Sequence, residues 1–556
     1  MNVVELAARI QAMPDDALDT LVVERQVPPQ LASTFDLAEH LVADASIAQA
    51  LRWRSAAELA ALRDGGSTPR LEQLLLAVDG AALPQVRALA TSALADSPSA
   101  SAAAERAQHR APPLESSTAP QAAIDETIKV AELVHRVADA PIVLRSRSQM
   151  PAATGRDLAA AVDADPAQLD ERLEPALLAG LIDRRDGRLR ATVDADAWLA
   201  APVPERWLAI ASAWLDATPD GDAVAGDPRE RFPLADAAVL AVRERQQRQA
   251  ERLGLADRGA RTALAADLRE RPDDALAALA AHVPPATASV YLQPDLSAVA
   301  PGPLEAAVEG RLRRIARIER AGIASHWRIS AQSVAAGLAA GDEVDEVLRF
   351  LDEISLTGLP QPVTYLVRTT AAKFGSLRVR PVDPVAEGGA RSQARSDDEQ
   401  LIRTIAVDRA LISAGPLQTG PHRVTFRTSA EEALAALLEE RYPAVLEDAA
   451  GELVRRVAER APRPVRERHR LVARLRDAGF EVGEQERTWL ERQLQGAIRD
   501  RVPVRLTVTT ATDPVDIELV PLAVANGRLR ARDANRDVER TLPLSAITKV
   551  AGLGAA

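Results

Sequence analysis

Cysteine is absent from the 556 residues, which excludes a disulfide scaffold, Cys-ligated zinc, iron–sulfur clusters and thiol catalysis. Lysine is nearly absent. Lys129, Lys373 and Lys549 follow Ile128, Ala372 and Thr548, so the chain holds no Gly-Lys pair. The G-x-x-x-x-G-K-[ST] loop that cradles a triphosphate therefore cannot form. The seven His (40, 109, 135, 282, 326, 422, 469) all lie more than ten residues apart, so no helical His pair chelates zinc. No G-x-S-x-G elbow is present. The acidic pairs Asp397-Asp398 and Asp342-Glu343 read as linker and helix start. No catalytic constellation assembles, so no enzyme, cofactor or metal is expected.

Aromatics make up only 3%, while Ala and Leu abound, which favours tightly packed helices. The balance of 68 basic against 80 acidic residues gives a net charge of −12. Nucleic-acid binding must then be local to a basic face. All basic residues but three are Arg, which suits phosphate recognition and equally follows from a GC-rich genome. The segment Met1–Arg9 has no basic region leading into an apolar core, so no signal peptide is expected. The longest uncharged stretch, Ala275 to Pro294, contains His282, Pro284 and Pro285 and is no membrane helix. The expected location is the cytoplasm, including association with the nucleoid.

The organisation reads as α+β, predominantly helical and multidomain. Residues 1–97 form a helical module and 98–121, rich in Ser and Pro, a linker. Residues 122–200 follow a winged-helix order. A helix around Lys129–Ala138 precedes Ile142-Val143-Leu144, and Gly155–Val162 gives a second helix. Asp165-Pro166, with Gln168 three residues into the helix, opens a third that carries Pro175. A hairpin then turns at Asp186-Gly187 and displays Arg184, Arg185, Arg188 and Arg190. Such a unit binds DNA or serves as a protein–protein module, and its arginines equally suit a solvated hairpin.

Residues 201–285 are helical, with Trp198, Trp207 and Trp214 on a core-forming stripe. Residues 383–398 read as a second linker and 399–483 as an α/β segment, in which Ser429 and Glu432 form a capping box. Arg455 to Arg476 holds nine Arg against Glu459 and Glu467. That run suits either phosphate binding or a soluble connecting segment. Residues 484–556 combine one helix with short alternating strands, the pattern of a small β-barrel-like domain.

The run Val290-Tyr291-Leu292-Gln293-Pro294-Asp295-Leu296-Ser297 resembles the opening of the N-terminal domain of XPB-type (TFIIH) helicases. The likeness continues through Trp327-Arg328-Ile329-Ser330, Val347-Leu348-Arg349-Phe350-Leu351 and Thr357-Gly358-Leu359-Pro360, and ends at Lys373–Val379. It spans 286–382. The arrangement is similar to actinobacterial helicase-associated proteins, with helical and winged-helix segments upstream and a WYL domain downstream. Pro521-Leu522 and Ser545-Ala546-Ile547 stand at WYL-like positions, whereas Gly527-Arg528-Leu529 replaces the namesake aromatics. The resemblance implies an accessory factor without a motor, with DNA and an XPB-type helicase as partners in repair or transcription.

Two further arginine sets are candidates for DNA contact. A helix over Leu304–Arg320 would place Arg313, Arg317 and Arg320 on one face. Arg528, Arg530 and Arg532 alternate along one strand, which serves phosphate contact or edge protection alike. The alternative reading is a protein- or ligand-sensing regulatory scaffold that does not bind DNA directly.

Overall fold

Side-chain caps mark several helix starts among the described residues, those at Ser33, Ser55, Ser330 and Ser429 with a full capping box. A computed structural model describes residues 3–106, 113–145, 149–218, 226–440, 442–448, 450–454, 460–464, 470–477, 482–500, 503–509, 514–533 and 538–552. It is a mixed, predominantly helical α+β structure. Two compact units are formed, one by residues 1–111, 227–243 and 466–556, the other by 112–226 and 244–465.

In the first unit, short helices from Val3–Ala12 to Pro98–Arg106 surround an apolar core. Ser33 and Ser55 accept hydrogen bonds from the amides of Asp36 and Glu58, satisfying donors that the first helical turn leaves open. Arg25 is buried and donates to Leu74 O (2.9 Å), Leu41 O (2.7 Å) and Ser46 Oγ (3.1 Å). Burial and the nearby Arg54 bring its pKa down to about 10. The Ser- and Pro-rich stretch expected as a linker begins with the Pro98–Arg106 helix, because Ala100 and Ala104 pack one turn apart into this core.

The same core contains Leu471, Val472 and Leu475 from the Arg470–Asp477 helix and Leu490 from the Val482–Asp500 helix. One turn beyond Leu490, Leu494 enters a different core, that of a five-stranded antiparallel sheet. Its order is Glu539–Pro543, Arg528–Asp533, Pro514–Ala525, Val504–Thr509, Ile547–Gly552. No seam joins its two end strands among the described residues.

In the second unit, the Ala119–Asp139 helix precedes helices Ala152–Ala161 and Leu169–Leu178, the latter entered through the turn Pro166–Gln168. Asp165 caps that turn by accepting from Ala167 N at 2.9 Å. Strands Ile142–Val143, Arg188–Ala191 and Ile182–Arg185 form a three-stranded sheet in that order. The hairpin turns at Asp186-Gly187 with both φ positive, the two-residue geometry that the dipeptide favours. Trp207 and Trp214 are fully buried, and their indole N–H groups donate to Leu253 O and Gln249 Oε1. Gly254 adopts φ +72°, and a Cβ there would stand 2.5 Å from Ala119 O. Only glycine fits.

Next comes a four-stranded sheet, order Arg317–Arg320, His326–Arg328, Ser297–Val299, Tyr291–Leu292, packed with helices Ala331–Ala339, Val344–Ile354 and Gln361–Lys373. Ser330 caps the first of these as expected. A five-stranded sheet follows, order Leu417–Gly420, Arg423–Phe426, Ser392–Arg395, Leu377–Pro381, Ala444–Leu446. Helices Glu399–Val407 and Ala430–Glu439 pack on its apolar face through Ile402, Ile405, Ala433 and Leu437. The Ser429–Glu432 capping box forms with both of its hydrogen bonds. Residues 392–395, inside the expected second linker, are a strand, since Ala394 joins that core and both neighbours bond its backbone.

Candidate nucleic-acid interface

The hairpin arginines are largely neutralised. Arg184 pairs with Asp170 at 2.9 Å, Arg185 with Asp183 at 3.3 Å, and Arg190 stands 4.0 Å from Asp186. Arg188 is exposed. The third helix of this unit is acidic and occupied. Arg248 and Arg252 hold Glu171, Arg245 faces Glu174 at 3.7 Å, and Arg172 turns inward to Glu126. A helix presenting carboxylates that other side chains already hold does not face a phosphate backbone.

Arg313, Arg317 and Arg320 do not share a helix face. The helix runs only Ala306–Ile315, and Ala316 turns extended at φ −138°, ψ 161°. A strand follows with Ile318 buried and Arg317, Glu319 and Arg320 exposed. Ile318 continues the three-residue spacing of Leu312 and Ile315, so helical and strand periods coincide there. Arg313 lies inside the protein. It donates to Glu132 at 2.6 Å and to Glu309 at 2.7 Å and stacks 5.2 Å from the Trp327 ring. Burial opposes its charge, but the two carboxylates outweigh that and raise its pKa. Beside it, burial and then Arg313, Arg206 and Arg460 push the His135 pKa well below its ordinary value, leaving the ring neutral. Arg317 and Arg320 are exposed, and Arg317 donates to Arg313 O.

Arg528, Arg530 and Arg532 do share an exposed face of their strand, alternating with buried Leu529, Ala531 and Asp533. Arg530 pairs with Glu539 at 2.8 Å. Three arginines of the basic run are spent on structure, while Arg470 is exposed. Arg460 grips Asp196 and Ala138 O, Arg463 grips Asp194, and Arg476 grips Asp15 and Gln11 O. Arg455, Arg456, Glu459, Arg466, Glu467 and Arg468 lie outside the described residues.

A further basic surface is one that motif spacing does not reveal. In the second five-stranded sheet, Arg378, Arg395 and Arg423 stand directly opposite one another across three neighbouring strands. Arg380 follows two residues along, on the same face. Like charges in register repel. Glu447, fully buried, is the counter-charge: its Oε2 lies 2.8 Å from Arg395 and 3.9 Å from Arg378, and its Oε1 lies 3.9 Å from Arg380. Arg423 pairs with Glu387 at 2.7 Å. Four guanidinium groups thus meet two carboxylates on the face opposite the packed helices. The signal in the sequence was the alternation Leu377-Arg378-Val379-Arg380.

Residues 290–419 match the family model of the helicase conserved C-terminal domain. No curated protein matches the chain. The expected likeness was to a helicase N-terminal domain over 286–382. The matched model describes a C-terminal domain and runs to 419, taking in Arg378, Arg380 and Arg395. A helicase-related chain with a nucleic-acid-associated role is supported. One expectation is overturned. Lack of a phosphate loop and of a catalytic constellation argued against any enzyme, yet the match points to a helicase-family protein. Absence of one phosphate-binding motif does not exclude a domain of this kind. The match bears on family, not on turnover. No described helix is long and apolar enough to cross a membrane.

Proposed function

We propose that this chain is a helicase-related DNA-binding protein that acts beside an XPB-type helicase in DNA repair or transcription, and that it holds the phosphate backbone with Arg378, Arg380, Arg395 and Arg423. The observation that carries this reading is the in-register row of partly exposed arginines on the sheet face opposite the packed helices, three of the four within the helicase-type match. Arg guanidinium groups bind phosphate bidentately, and a bound phosphate relieves their mutual repulsion. Neighbours on the face, Gln393, Thr425 and Val445, include no aromatic ring on which bases would stack, so binding should follow the backbone and not the sequence. The exposed Arg188, Arg317, Arg320, Arg528, Arg530 and Arg532 are secondary contacts in this reading. Residues 122–200 are read as a winged helix, on their helix and strand order, and residues 484–556 as a WYL-like domain of an actinobacterial type.

The test is fluorescence anisotropy of labelled single-stranded, duplex and forked DNA at low and physiological salt, with ATP hydrolysis followed in parallel. Replacing Arg378, Arg395 and Arg423 by Ala should weaken binding several-fold and lower the salt slope by about 0.9 for each duplex phosphate that is no longer neutralised. Unchanged binding and slope would remove this face from the interface. A second reading, a protein-sensing scaffold, draws on the acidic, occupied third helix, and would gain if no DNA bound even at low salt.

A further inference from the structure

The segment 303–325, residues 280–286 and parts of the 128–131 and 200–206 stretches line an open cleft of about 460 Å³ within the second unit. Most of its wall is apolar, including Ile128, Val203, Val283, Leu304, Ile318 and Ile323. That volume lies within the range of small-molecule sites, which pair an apolar wall with a few placed polar groups.

Here the placed group is Arg206. It is only 6% exposed, and its Nε donates to Ala201 O at 2.7 Å, which fixes the plane of the guanidinium. The nearest carboxylate oxygen, Glu309 Oε2, is 3.9 Å from Nη2, an ion pair beyond hydrogen-bond reach, while Glu309 Oε1 accepts from Arg313. Among the described residues, the two Nη groups of Arg206 donate no hydrogen bond. Both Nη groups keep some solvent access, so an acceptor bound there would replace water on a side chain that is otherwise almost wholly buried. Around it three arginines, Arg136, Arg206 and Arg313, share two carboxylates, Glu132 and Glu309, so the cluster carries one positive charge in excess. Glu305 lies at the exposed lip, in solvent.

We propose that this cleft binds a small organic acid, its carboxylate accepting from both Nη groups of Arg206 and its apolar body lying against the aliphatic wall. The two-point geometry suits a carboxylate, and the wall excludes a strongly hydrated body. This inference does not rest on the nucleic-acid reading.

The experiment is calorimetric titration of the full chain with octanoate, with 1-octanol and octylamine as comparators. Octanoate should bind saturably and at least about tenfold more tightly than either comparator, and Arg206→Met, which keeps the aliphatic stem, should weaken it about tenfold. Ala286→Trp and Ala306→Trp, at exposed positions of the lining, should block binding while the far-ultraviolet dichroism stays unchanged; they decide the matter if Arg206→Met does not fold. The proposal is overturned by an absence of saturable octanoate binding, by octanol binding as tightly, by full affinity in folded Arg206→Met, or by full affinity in the two Trp variants.

Discussion

Glu447 sits where one carboxylate restrains three guanidinium groups. Replacing it by Gln leaves the arginines opposed without a counter-charge. The arginines are partly solvated, so the expected loss is about 1–3 kcal/mol, read by urea denaturation. The same change makes the sheet face more positive, so DNA affinity at low salt should rise while stability falls. A fall in both would mean that Glu447 shapes the face as well as neutralising it. His135 makes a pH prediction of definite sign. Its folded pKa is depressed by burial and by Arg313, Arg206 and Arg460, so the unfolded chain binds the proton more readily. Its contribution is therefore complete above about pH 6.5 and is lost as pH falls toward the lowered value, with a slope of at most about 1.4 kcal/mol per unit. Denaturation midpoints between pH 7.5 and 5 should show that slope in the parent chain and a flatter profile in His135→Gln.

Among the elements, those marked by local chemistry were legible in the sequence. Ser330 and Ser429 cap helices where hydroxyl-plus-partner spacing places them, and Asp186-Gly187 makes its two-residue turn. The tryptophan stripe is core. Elements set by long-range pairing were not legible. The 304–320 stretch splits into helix and strand because its partner, His326–Arg328, captures the second half. The strand at 392–395 reads as polar linker because its stability comes from neighbours on both sides. The candidate site was hidden for the same reason: Arg378, Arg395 and Arg423 are far apart in sequence, and only register brings them into a row. The Val482–Asp500 helix offers a test at this scale, since Leu490 and Leu494 serve different cores. Each Leu→Ala change should cost about 2–5 kcal/mol. Amide exchange should then quicken among the helices of residues 3–106 for Leu490→Ala, and in strands 504–552 for Leu494→Ala.

For the molecule as a whole, the charge of −12 is compatible with DNA binding only because basic groups are concentrated. Several arginines are spent inward, among them Arg54, Arg172 and Arg313, whereas the sheet face at 378–423 gathers four in one place. Stability has a comparable concentration. The helices of residues 3–106 complete their core with Leu471, Val472, Leu475 and Leu490. Truncation after residue 465 should therefore leave that core open, seen as raised binding of an apolar dye and a lower melting temperature than the full chain. A truncated chain that melts like the parent would show that those four residues are dispensable.

That arrangement has a consequence for how the protein is made. Leu94 leaves the ribosome about 380 residues before Leu471, which at ~5–20 residues per second is roughly 20–75 s. During that interval the early helices hold an apolar seam with no native cover. Nascent chains of this protein should be substrates for holding chaperones until the late helix arrives.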